Sequence, residues 1–232
     1  MQRSPTLRAK RSNPSCRNES MDCFVAIAPR NDEIRVRLAK PGSHLFRVAV
    51  MGAALLCVGT TRLCAQSIEE KAEVCAGCHG ADGKPTDKTI PIIWGQQAGY
   101  LYIELRDFKR GDRKSDIMQP IASPMQRDEM QAFAEYFAKK PWPDLGQPRA
   151  PKEVVEKASI ANHSVGCTAC HLDHFQGDGT VPRLAGLSRE YLSKTMTDFR
   201  SRARGNNPGM SDLMLAISPD DIAALAQYLA GL

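Results

Sequence analysis

The sequence predicts an all-α chain built as two tandem domains, and three observations carry that prediction. The pentad Cys75-Ala76-Gly77-Cys78-His79 returns 92 residues later as Cys167-Thr168-Ala169-Cys170-His171. Residues downstream of each pentad repeat at nearly the same interval. Apolar residues recur at helical spacing in several segments, and no hairpin signal occurs.

The chain begins with residues outside this pattern. Residues 1–40 are rich in Arg, Asn, Ser and Pro and have neither helical nor strand periodicity. Val48–Gly59 is an apolar run of about a dozen residues, preceded by Lys40, His44 and Arg47 and followed by Leu63-Cys64-Ala65. A basic region, a short apolar core and a small-residue end make a secretory signal, with cleavage near Ala65. A membrane span needs roughly 20 apolar residues, so an uncleaved anchor is the weaker reading. Residues 1–65 are therefore expected to be a pre-segment and signal peptide (the signal near residues 40–65), and the protein is expected in the periplasm.

Removing that segment changes the charge. Residues 1–65 hold 11 of the 31 basic and 4 of the 26 acidic residues, leaving 20 basic against 22 acidic. The formal +5 of the whole chain becomes about −2, which gives no support for nucleic-acid binding.

Two thiols three positions apart can each form a thioether with one haem, and the adjacent His then lies under the iron. A zinc site would want its two Cys pairs in one small unit. A redox dithiol would sit in an α/β pattern that is absent. Cys75, Cys78, Cys167 and Cys170 are thus the expected attachment points of two covalently bound haem c groups. His79 and His171 are the expected iron ligands.

The repeat extends further. Pro91, Gly95, Tyr100, Leu101, Asp107, Phe108 and Arg113 recur 91 positions later as Pro182, Gly186, Tyr191, Leu192, Asp198, Phe199 and Arg204. Met118 and Tyr136 recur 92 later as Met210 and Tyr228, so each half places a Met 39 residues after its His. A thioether is a soft neutral donor suited to the second axial position, which makes Met118 and Met210 the expected partners of the histidines. Met125 and Met214 match Ile217 and Ala122, so with Met130 they read as core fillers. Gly95 and Gly186 read as shared turn geometry. Pro91 and Pro182 could each present a rigid carbonyl to the second ring nitrogen of the axial His.

Short helices are expected at Ile68–Cys75 and Glu153–Gly166, leading into the pentads. Others are expected at Gln97–Lys109, Ser188–Ser201, Asp128–Lys139 and Pro219–Gly231. In the last, Ser218 caps, Pro219 suits the first turn, and Ile222, Leu225, Ala226 and Leu229 form an apolar stripe. Four prolines between Lys139 and Pro151 exclude a regular helix. The expected units are residues 66–139, a linker at 140–151, and residues 152–232. At about 80 residues each half is marginal alone, so neither is expected to fold stably without its haem.

On these residues the chain resembles the class I c-type cytochromes, specifically two-haem cytochromes of the cytochrome c4 type. The resemblance spans about residues 68–232 and rests on Val74–Gly83, on the segments around Pro91–Leu101 and Val181–Leu192, on the Asp107–Arg113 and Asp198–Arg204 segments, and on the Met-bearing tails. It implies two cytochrome c folds about a pseudo-twofold axis with their haem edges close. It also implies a propionate contact through Gln96 that Leu187 cannot reproduce. The loop His171–Pro182 departs from the glycine-rich form of His79–Gly83 and carries His174, which with His163 reads as a surface residue.

The expected function is electron carriage without substrate chemistry, between redox proteins such as a membrane cytochrome complex, a terminal oxidase or a dehydrogenase. A transient membrane-surface association fits this role. The alternative is a fixed cytochrome subunit of a periplasmic dehydrogenase complex, for which linker residue Trp142 is the one docking candidate; it reads better as buried structure. A dihaem peroxidase is disfavoured, because it needs a haem with an open sixth position and both halves offer a Met.

Overall fold

The computed structural model describes residues 66–232; the signal, the pre-segment and Cys16, Cys23, Cys57 and Cys64 lie outside the described residues. Among the described residues there are helices and no strand, with one isolated bridge between Asp178 and Val181. The first repeat holds α1 (Ile68–His79), α2 (Ala98–Arg110), α3 (Met118–Ala122) and α4 (Arg127–Ala138). The second holds α5 (Lys152–Val165), α6 (Thr168–His171), α7 (Arg189–Arg200), α8 (Pro208–Leu215) and α9 (Pro219–Ala230). The all-α expectation holds.

Local chemistry explains the helix ends. Ser67 and Glu70 form a reciprocal capping box at the start of α1. Ser218 accepts from Asp221 N at α9, with Pro219 in the first turn. Two helices differ from expectation at the pentads. α1 does not stop at Cys75 but runs through the whole pentad to His79, whereas the second repeat breaks at Gly166, which takes a left-handed conformation (φ +69°) before the single turn of α6. The short α3 and α8 were not expected either; at five and eight residues they are too brief to show an apolar period.

Each repeat has its own core. α2 packs on α4 and α1 on α4, around Leu101, Met125, Met130, Phe133 and Phe137. α5 and α7 both pack on α9, around Phe175, Leu192, Phe199, Met214 and the expected stripe Ile222, Leu225, Ala226 and Leu229. Met125, Met130 and Met214 are buried, as their core-filling reading requires.

The loops after the pentads keep one backbone path with different residues. Gly80 (φ +86°) and Gly83 (φ +82°) correspond to Leu172 (φ +65°) and Phe175 (φ +51°). A side chain at Gly83 would strike the Trp94 ring at 2.7 Å. In the second repeat Ala185 replaces that tryptophan, and Phe175 buries its own ring edge-to-face on Tyr228 with centroids 6.1 Å apart. Left-handed backbone costs a non-glycine residue about 1–2 kcal/mol; full burial of a Phe side chain returns about 1.5–3 kcal/mol.

The repeats meet through reciprocal contacts, the pattern of an isologous pair. Arg113 donates to Tyr191 Oη (3.3 Å) and Arg204 donates to Tyr100 Oη (3.3 Å). Gln97 donates to the carbonyls of Gln176 and Gly177 (3.1 and 3.2 Å), while its counterpart Ser188 donates to the Lys88 carbonyl. One buried carboxylate breaks the symmetry: Glu104 accepts from Arg113 (2.6 Å) and Arg204 (2.5 Å) together. Asn206 adds a bond to Asp107 (2.9 Å).

The segment 140–151 is free of helix, as its prolines require, and it is docked on both repeats. Trp142 lies against both repeated glycines, Gly95 and Gly186, with the Arg183 guanidinium 4.4 Å above its ring. Gln147 donates to the carbonyls of Leu187 and Ala230 (both 3.1 Å).

Candidate cofactor sites

The residues of each candidate site come from separate elements of one repeat. The pentad of the first repeat ends α1, which packs on α4; the second pentad follows α5, which packs on α9. The methionines come from elsewhere: Met118 opens α3, which packs on α2, and Met210 lies in the first turn of α8, which packs on α7. Both methionines are half-buried. Their amides are fixed alike, Met118 N–H donating to Ser115 Oγ and Met210 N–H to Asn207 Oδ1, each at 3.1 Å. Cys75 and Cys167 are half-buried at the edges of the two cores, while Cys78 and Cys170 are exposed. Burial pushes the Cys75 and Cys167 thiols up.

The histidines are held as expected. His79 Nδ1 lies 2.8 Å from the Pro91 carbonyl and His171 Nδ1 lies 2.9 Å from that of Pro182. A carbonyl only accepts, so Nδ1 carries the proton and Nε2 its lone pair. Burial pushes both imidazoles below their ordinary range, against the pull of the proline carbonyls, which favours the neutral ring. Neither Nε2 has a hydrogen-bond partner among the described residues. A neutral, oriented imidazole with a free Nε2, four positions and one position beyond two unpaired thiols, fits a covalently attached haem.

Gln96 is buried and bonded through both ends of its amide: Oε1 accepts from Arg183 N (2.7 Å) and Gln97 N (2.9 Å), and Nε2 donates to Arg183 O (2.9 Å). It therefore binds the other repeat. His163 and His174 are exposed, as read.

Sequence reasoning missed Glu104 and Asn206. Glu104 corresponds to Thr195, so a search for repeated residues passes over it. The repeated pairs Tyr100/Tyr191 and Arg113/Arg204 were visible, but nothing in their spacing showed that each Arg reaches the Tyr of the other repeat.

Comparison with known proteins gives the family. The cytochrome c family model matches residues 156–232. Cytochrome c4 of Azotobacter vinelandii is 31% identical over 201 residues, covering 77% of this chain and 96% of that one. The chain belongs to the cytochrome c4 family. A second relative, the thiosulfate dehydrogenase electron acceptor of Stutzerimonas stutzeri (strain A1501), is 35% identical over 170 residues, 68% of this chain and 79% of that one. The crystal structure of reduced recombinant cytochrome c4 from Pseudomonas stutzeri superposes with a TM-score of 0.63 at 27% identity, over 72% of this chain and all of that one. As a cytochrome c4-family chain, this protein is an electron-transfer cytochrome with covalently bound haem c, and its two pentads match two haems. It carries electrons and catalyses no substrate reaction.

Proposed function

We propose that the chain is a periplasmic two-haem carrier that accepts electrons from a dehydrogenase, and that His79 with Met118 and His171 with Met210 supply the axial ligands. On this reading Cys75, Cys78, Cys167 and Cys170 bear the haems, residues 66–139 and 152–232 are the two haem domains, and the signal near residues 40–65 directs export. When bound, the haem iron takes up and releases one electron between its ferric and ferrous states.

The observation that carries this reading is the matched pair of histidines, each with Nδ1–H on a proline carbonyl and Nε2 free. The chain's residues do the positioning. Pro91 and Pro182 fix tautomer and ring plane. The equal His-to-Met intervals offer the same neutral donor in both halves, and Met118 and Met210 as ligands would raise the reduction potential and leave no site open to small molecules.

The dehydrogenase is favoured as electron donor by the relative named as a thiosulfate dehydrogenase electron acceptor. One surface feature supports docking on the first domain. Val74 and Ile117 directly precede Cys75 and Met118 and are 70% and 65% exposed, whereas the second repeat has Gly166 and Gly209 at these positions. An exposed apolar pair beside the site suits a transient partner.

Optical spectroscopy with a redox titration of the holoprotein tests this. Two haems per chain, two one-electron waves and a near-infrared Met–iron band that halves in Met118→Ala and in Met210→Ala are expected. Carbon monoxide binding by the reduced wild type would overturn the ligation. Unchanged reduction rates by a cognate dehydrogenase in Val74→Lys/Ile117→Lys would overturn the docking site.

A further inference from the structure

We infer that Gln96 is a positioning residue that tunes the second haem from the first repeat, acting through the peptide group that holds His171. The inference rests on the ligation reading above. The peptide joining Pro182 to Arg183 has its two polar ends used in series. Its carbonyl accepts the His171 Nδ1–H at 2.9 Å, and its N–H donates to Gln96 Oε1 at 2.7 Å. The orientation of the Gln96 amide is dictated, because Nε2 donates to the next carbonyl, Arg183 O, at 2.9 Å. Gln96 is only 2% exposed, so water does not compete for either bond.

Hydrogen bonds in series polarise one another. An acceptor on the Arg183 N–H draws electron density onto the Pro182 oxygen and makes it a stronger acceptor for the imidazole proton. The ring becomes more imidazolate-like, a better donor through Nε2, and favours the ferric state. The first repeat lacks this chain. Its equivalent peptide joins Pro91, whose carbonyl takes the His79 Nδ1–H, to Ile92, whose N–H meets no acceptor among the described residues. The residue twofold-related to Gln96 is Leu187, buried and without a polar atom. Two domains with the same residue types at their irons are thus given different surroundings, and the difference in the second exists only while the first is docked against it.

The holoprotein variant Gln96→Leu tests this, with Gln97→Ala as the control that cuts interdomain bonds to Gln176 and Gly177 without touching the peptide. In Gln96→Leu the second haem's reduction equilibrium should shift about threefold to tenfold toward ferrous, roughly 30–60 mV at 59 mV per decade for one electron. The first haem should not move, and Gln97→Ala should shift neither haem by this amount. Equal shifts of the second haem in both variants would assign the effect to a loosened interface and overturn the inference, as would no shift in Gln96→Leu. A wild-type measurement stands beside these: in the ferrous protein the His171 Nδ1–H should exchange with solvent several-fold more slowly than that of His79, and equal rates would overturn the inference. The ligation reading fails or stands separately, because the ring protons of His171 move far upfield in the ferrous NMR spectrum only if the ring sits over the haem.

Discussion

Three glycines with left-handed backbone allow the docking of the linker to be measured by one substitution, Gly→Ala, in three settings. At Gly146 (φ +63°) an added methyl meets nothing within 4 Å, so only backbone strain is charged, about 1 kcal/mol. At Gly186 (φ +80°) the methyl lies 2.9 Å from Trp142 Nε1 and no other atom is closer than 3.7 Å. A side chain can move, but moving it weakens the Arg183–Trp142 stacking, so about 2 kcal/mol is expected in all. At Gly95 (φ +66°) the methyl meets linker backbone, Trp142 N at 3.0 Å, Lys140 O at 3.1 Å and Trp142 Cα at 3.2 Å. Relief there displaces the linker and strains the Gly95 N–H bond to Phe137 O (2.8 Å), for about 3 kcal/mol or more. Guanidinium unfolding of the three ferric holoproteins, read as midpoint shift times slope, gives the order. If Gly95→Ala costs no more than Gly146→Ala, the linker is not seated on that glycine in solution and the packing argument is wrong.

Three further outcomes follow from the same contacts. Ser218→Ala removes the N-cap of α9, the helix on which both α5 and α7 rest, and should cost about 1 kcal/mol in thermal unfolding, with no change in either haem potential. Glu104→Gln leaves two buried arginines without their shared carboxylate and should cost about 3–5 kcal/mol, reduced when Arg204→Gln is added; a double-mutant cycle with no coupling would remove Glu104 from the interface account. For Tyr191, burial alone would raise the phenol, but Arg113 and Arg204 outweigh it and hold the group down to about 8. Since the folded value lies below the ordinary value of about 10, its ionisation stabilises the docked state increasingly from about pH 8 to pH 10, and that gain is lost as pH falls through about 8. Ring-labelled tyrosine NMR should show the titration and Tyr191→Phe should abolish it; a resonance unmoved below about pH 9 would refute it.

What the sequence determined by itself is the part of the protein written in short covalent spacing. Two pentads and a proline eleven or twelve residues beyond each histidine needed no tertiary information, because each sits in a short stretch whose chemistry works locally. The Nδ1 bonds to Pro91 and Pro182 were legible for that reason. Helices with clean caps and long apolar stripes, such as α9, were legible too, while α3 and α8 were too short to carry a period. Tertiary structure alone decided how the repeats join. Glu104, Gln96 and Asn206 bond to residues 87 to 102 positions away, and all three sit where the other repeat has a different residue type. A duplicated sequence advertises what its halves share; the contacts that distinguish the halves depend on the few positions where they diverged, and those have meaning only once the two surfaces are face to face.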